Sequence, residues 1–230
     1  MSFKDIMWKM DRISYLLILL ETVLVSLFIY NDNKYHNSLS ILLKTLASLT
    51  FVLLAVRLYK GKALLVIIAL SFDMLGDFIM ILRNKFRKHK DLIFVLGTLS
   101  FFIAHILYST YLIKLNPKCI PLGLMFNAIL YLGVAMYFLR TLDVHGKMKM
   151  LGACYLLIIM FTSGLAISNY INASNYANLV LMVASIIFIC SDLILMIHKF
   201  NKNAKNYLQI TYRVLYYISQ LLLAIYVGLV

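Results

Sequence analysis

The chain has 230 residues, of which 63% are hydrophobic and only 13% charged, with a formal charge of +13. So little polar surface cannot cover a soluble globule, which leaves a polytopic membrane protein. The basic excess is scattered through short polar breaks rather than laid along one soluble face, so it points to anionic lipid headgroups and excludes a nucleic-acid-binding domain.

In chain order, apolar runs predict eight spans at residues 13–30, 38–58, 62–82, 92–115, 120–139, 147–169, 174–197 and 207–230. Each holds about 20 residues, enough to cross a hydrocarbon core of ~30 Å at 1.5 Å per residue. The predicted fold is therefore all-α, a polytopic transmembrane helical bundle in one integral membrane domain covering residues 1–230. Its breaks are Asn31-Asp32-Asn33, Lys60-Gly61-Lys62, Arg83 to Asp91, Asn116-Pro117, His145-Gly146-Lys147 and Lys199 to Asn206. The first span follows Lys4, Lys9 and Arg12 as a signal peptide would, but it lacks a small-residue cleavage site and contains Glu21, so it reads as a retained helix. Cys119, Cys154 and Cys190 lack metal-ligand spacing and read as packing residues.

An even number of spans puts both termini on one side. Counting Lys and Arg, the opposite side, with Lys34, the Arg83 to Lys90 cluster and the Lys199 to Lys205 cluster, is the more basic and is favoured as cytoplasmic, although the residues before the first span vote the other way. Seven ionisable groups lie inside the spans: Glu21, Lys44, Asp73, Asp77, His105, Asp192 and Arg213. A charge at helix-centre depth costs about 3 kcal/mol or more, so each needs a task or a partner. Counted from the basic side, Lys44, Asp77, Asp192 and Arg213 all sit roughly 8–9 Å deep. His105 and Gln220 lie near the midplane. The predicted arrangement is a polar cup opening towards the basic face.

Asp77 and Asp192 are 115 positions apart, and so are His105 and Gln220. This spacing predicts two parallel four-helix repeats, residues 1–115 and 116–230, related by an axis along the membrane normal.

The motifs around these residues carry a resemblance. Lys44-Thr45-Leu46, Gly76-Asp77, Phe94-x-x-Gly97 leading to His105-x-x-Tyr108, Phe188-x-x-Ser191-Asp192 and Tyr217-x-x-Gln220 follow one another in order from about residue 40 to the C-terminus. In this the chain resembles the lysoplasmalogenase family, the YhhN-type eight-span membrane proteins. It departs from the family pattern with Thr45 in place of Pro, Asp73 in place of Ser, and Ala184-Ser185 in place of Gly-Ala. Asp73 adds a second carboxyl one turn from Asp77, where the pair would hold a proton or Asp73 would serve equally as a structural hydrogen-bond donor.

The resemblance implies hydrolysis of the vinyl ether bond of lysoplasmalogens to a fatty aldehyde and a glycerophospho-base. Such a bond is cleaved by protonating its β-carbon and hydrating the oxocarbenium ion, which needs a general acid and a carboxylate, as in glycosidases. On this reading Asp77, Asp192 and His105 are catalytic, while Lys44, Asp73, Tyr108, Arg213, Tyr217 and Gln220 bind the lysolipid. Neither a cofactor nor a metal is expected, and the partners are the lysolipid substrate and membrane lipids.

Each group also has a plainer use. Lys44 and Arg213 serve equally to neutralise the aspartates, and His105 to make an interhelical contact. Glu21 has no motif around it, and pairing with Lys44 is its simplest use. His36, His89, His145 and His198 fall in or beside loops and are expected to be solvated. The rival function is a proton-coupled transporter, but transporters often break helices with Gly or Pro at matching points in both halves. Here Pro117 and Pro121 share one loop, and Gly76 aligns with Ser191.

Overall fold

Every backbone N–H and C=O inside a bilayer must find its partner within the protein, so an apolar run of this length has to coil into helix. The computed structural model describes residues 10–35, 37–83, 85–141, 146–200, 205 and 207–230. Among them eight helices are long and apolar enough to span a membrane: α1 (Arg12–Lys34), α2 (Ser38–Leu58), α3 (Leu64–Leu82), α4 (Lys90–Leu115), α5 (Ile120–Thr141), α6 (Gly146–Asn172), α7 (Tyr176–Phe200) and α8 (Tyr207–Val227). Short 3₁₀ turns at Arg87–His89 and Pro117–Cys119 lead into α4 and α5.

Polar residues punctuate the helices where their unpaired N–H groups need acceptors. Asp11 caps α1 by accepting from the Ser14 N–H at 3.1 Å, and Asn37 caps α2 through the Ser40 N–H at 3.2 Å. Asn175 does the same for α7 through the Asn178 N–H at 2.9 Å. Hydroxyls inside the spans fold back on their own helix, as Thr22, Ser26, Thr45 and Ser71 each donate to the carbonyl one turn earlier. Gly61, at φ 93°, turns the chain between α2 and α3 in a conformation that side chains resist.

The predicted break at Asn31-Asp32-Asn33 does not occur, because α1 runs on to Lys34. The Asn31 amide donates to Asn37 Oδ1 at 2.7 Å and to Ser40 Oγ at 2.9 Å, while Asp32 is buried. The polar groups that resembled a loop therefore lock the α1–α2 hairpin. At its other end the Arg57 guanidinium donates to Asp11. Ser14 first, and then Arg57, hold the Asp11 carboxyl down at about 2 by bonding its charged form.

The chain forms two compact units, one of residues 1–107 with Gln220–Val230, the other Tyr108–Ser219. In the first, α1 packs on α2 and α2 on α3; in the second, α5 packs on α6 and α6 on α7. The end of α8 closes on the end of α2 in the first unit, where Lys60 Nζ donates to the Gly228 carbonyl at 2.6 Å. The end of α4 meets α6 in the second, where Ser109 and Thr162 share a hydrogen bond at 2.9 Å. In each unit a helical hairpin receives a third helix.

Small residues set the helix crossings, since van der Waals fit is what drives helices together in lipid. A Cβ at Gly76 would meet the Phe101 ring at 2.8 Å, and one at Gly97 would meet Met80 at 2.7 Å, so α3 and α4 cross closely beside Asp77. In the second unit a Cβ at Gly164 would lie 2.5 Å from the Gly123 carbonyl oxygen. Leu16, Leu19, Leu53 and Ile129 point outward as a lipid-facing surface. Cys119 is packed inside, but Cys154 and Cys190 are exposed, which corrects their expected burial: both lie on outward helix faces.

Gly164→Ala is expected to cost about 1–3 kcal/mol by overpacking against backbone. Gly133→Ala, whose added methyl would meet nothing within 4 Å, should be neutral or slightly stabilising. Unfolding of the two variants in detergent checks this contrast.

Candidate functional site

The buried face of α3 runs through Val66, Leu70, Asp73, Asp77 and Ile81, a helical stripe with two carboxyls set in it. On α2, Lys44 and Ser48 stand one turn apart and reach the same aspartate. Lys44 Nζ lies 2.8 Å from Asp77 Oδ1, and Ser48 Oγ donates to Asp77 Oδ2 at 2.7 Å. Both oxygens of a side chain that is only 2% exposed thus receive donors from one neighbouring helix. A cation on one oxygen and a hydroxyl on the other is the environment of a carboxylate, which accepts and does not donate.

Asp73, completely buried, has a different partner. Gln220 on α8 donates from Nε2 to its Oδ2 at 3.1 Å. Asp77 thus receives a cation and a hydroxyl from α2, and Asp73 an amide from α8. His105, 4% exposed, belongs to the same unit on α4, whose Ser100 Oγ bonds the Phe72 carbonyl of α3 at 2.6 Å.

The second unit holds Asp192 on α7, 5% exposed, with the phenol of Tyr155 on α6 donating to its Oδ2. Beside it Ser191 Oγ bonds the Tyr212 carbonyl at 2.8 Å and Ser219 Oγ bonds the Ala184 carbonyl at 2.8 Å, which pins α8 along α7. Arg213 is buried in this unit with its guanidinium 5.9 Å from the Tyr212 ring centre. Tyr217 stacks edge-on to Tyr216, and Tyr216 to Phe188. Tyr108 is buried here too.

The structure thus brings Lys44 to Asp77 and Gln220 to Asp73, and sets Asp192, Arg213, Tyr217 and Tyr108 within the second unit. Two expectations need correction. Lys44 pairs with Asp77, not with Glu21, whose buried carboxyl oxygens have no hydrogen-bond partner among the described residues. His198 is half-buried against the Tyr212 ring at 5.9 Å rather than solvated, because α7 continues to Phe200 and carries it into the packing. His89 is exposed as expected, and His36 and His145 lie outside the described residues. Sequence reasoning missed Ser48 and Tyr155. Ser48 was findable, since it lies at i+4 from Lys44 on one helix face; Tyr155 gives no signal among 16 tyrosines.

These features define a multi-pass helical membrane protein whose interior holds carboxyls on built hydrogen-bond partners. The chain belongs to the YhhN family, the lysoplasmalogenase family, whose model matches residues 39–227. No curated protein and no solved structure matches the chain. All of α1, with Glu21 and Asp32, precedes the matched region.

Lys44→Met would leave the Asp77 charge buried on a hydroxyl alone and is expected to destabilise by about 3 kcal/mol. Asp77→Asn should cost less, since the lysine stem can carry its ammonium towards water. The double variant should recover much of the loss from Lys44→Met. A double-mutant cycle by detergent unfolding measures the coupling.

Proposed function

We propose that the protein is a membrane hydrolase that cleaves the vinyl ether bond of lysoplasmalogens to a fatty aldehyde and a glycerophospho-base. The observation that carries this is Asp77: a buried carboxylate, held on both oxygens by Lys44 and Ser48, in a member of the YhhN family. A bilayer protein has little reason to keep such a group for stability alone, since a buried ion pair seldom outperforms apolar packing.

The reaction adds water across R–CH=CH–O–R′ to give R–CH2–CHO and HO–R′. Its hard step is proton transfer to carbon, which leaves a cation on the ether carbon. Asp77, fixed as a carboxylate, is suited to stabilise that cation and to take a proton from the attacking water. Asp192, which accepts from the Tyr155 phenol within the second unit, is the other carboxyl assigned to acid–base work, and its own variant tests it. His105, buried in the same unit as Asp77, is a further proton carrier. Lys44 holds the Asp77 carboxylate in place while that proton moves. Asp73 and Gln220 position α3 against α8 through their hydrogen bond. The hemiacetal left after hydration collapses without further help from the protein, releasing the alcohol.

Purified protein incubated with a lysoplasmalogen, its saturated alkyl-ether analogue and its ester analogue is expected to release aldehyde from the first and nothing from the second. The ester needs a nucleophile and an oxyanion hole and should be a poor substrate at best. Asp77→Asn and Asp192→Asn should each lower aldehyde release by about 10²-fold or more while the protein still folds. Fatty acid released from the ester at a comparable rate would instead make the protein a lysophospholipase. Absence of product from all three would favour the transporter.

A further inference from the structure

A polar cavity of about 230 Å³ opens at the end of the first unit where α1 hands over to α2 and α3 ends. Its polar lining is Asp32, Asn37, Ser38, Ser40 and Lys85, and its apolar lining is Ile41 and Ile81. The polar residues carry both signs of charge. Asp32 is 1% exposed on the last turn of α1, so its carboxylate is fixed within the wall, whereas Lys85 is exposed just beyond α3. Asn37 Oδ1 is already occupied by the Asn31 amide and the Ser40 N–H, so Asn37 turns only its amide donors to a ligand. The lining therefore offers a ligand an anion, hydroxyls, a cation and neutral amide donors.

The apolar lining ties this cavity to the site already described. Ile41 lies three residues before Lys44, and Ile81 four after Asp77, so the cavity sits about 5–6 Å along the helices from the Lys44–Asp77 pair. A lysolipid headgroup seated there would extend its glycerol past the two isoleucines towards Asp77. We propose that this cavity is a headgroup subsite for a zwitterionic phosphoethanolamine, with the ammonium on Asp32 and Ser40 and the phosphate on Lys85, Asn37 and Ser38. It rests on the lysolipid reading above and adds a headgroup choice to it. A primary ammonium has three N–H donors that a carboxylate and a hydroxyl can accept, whereas a trimethylammonium has none and is recognised by aromatic faces. No aromatic ring lines the cavity among the described residues, and the nearby rings of Tyr30 and Tyr35 are engaged by Lys34.

The test uses saturated alkyl-ether lysophosphatidylethanolamine and its choline counterpart, titrated against the full chain in detergent. The ethanolamine lipid is expected to bind about tenfold tighter or more, and Asp32→Asn should erase that preference. Lys85→Glu, at an exposed position that folding tolerates, should weaken both lipids by about tenfold while keeping their order. Equal affinities in the wild type, a preference that survives Asp32→Asn, or lipid binding indifferent to Lys85→Glu would each overturn the subsite. Glycerophosphoethanolamine, which has the headgroup without the chain, should bind more weakly; equal binding would assign the cavity to a soluble metabolite and overturn the lipid assignment. Aldehyde release from the vinyl-ether forms is followed in parallel. Aldehyde without headgroup preference overturns the subsite and leaves the reaction standing, while preference without aldehyde overturns the reaction and leaves the subsite.

Discussion

The rest of the structure depends on one pairing, the Lys44 ammonium and Ser48 hydroxyl on the two oxygens of Asp77. In a medium that cannot solvate ions, a carboxyl survives buried either by holding its proton or by finding donors. Asp77 has found them on α2, and this dictates that α2 and α3 pack face to face at that depth. Gly76 then has to be small, because α4 approaches on the adjoining face and places the Phe101 ring where a side chain would stand. The residues flanking the aspartate are thus consequences of the charge beside them. Asp192, in the second unit, has a different neighbour, a phenol from α6.

How much of this could be read beforehand varies with the kind of signal. Span α2 falls at residues 38–58 in both readings, since Asn37 and the Lys60-Gly61-Lys62 break mark it by composition alone. The end of α1 was not legible, because Asn31 and Asp32 look like loop residues until their partners on the next helix are known. Asp77, Asp192 and Lys44 were legible as charges in apolar runs. Their partners were not, apart from Ser48 with its helical spacing from Lys44. Tyr155 is one tyrosine among many, and only the packing of α6 on α7 makes it a donor to Asp192. The Asp73–Gln220 contact joins residues far apart in sequence, a pairing that no local pattern encodes.

The packing order adds a constraint on how such a site is made. Hairpins α1–α2 and α5–α6 each receive a third helix, and the first unit also takes in the C-terminal end of α8, from Gln220 onward. That end fixes Asp73 through Gln220, a partner distant in sequence. Serine hydroxyls bonded to backbone carbonyls do much of the joining, because a hydroxyl in lipid must find an acceptor and a neighbouring helix can supply one.

The central claim is that a buried acid adds a proton to carbon. Hydrolysis of a lysoplasmalogen in heavy water tests it most directly, with the aldehyde reduced to its alcohol as it forms so that later enolisation adds no label. Protonation of the vinyl ether requires a single deuterium on the carbon next to the former carbonyl, detected by mass spectrometry of the alcohol. Aldehyde that carries no deuterium at that carbon would mean the bond is broken some other way, and the acid–base account of this protein would fall with it.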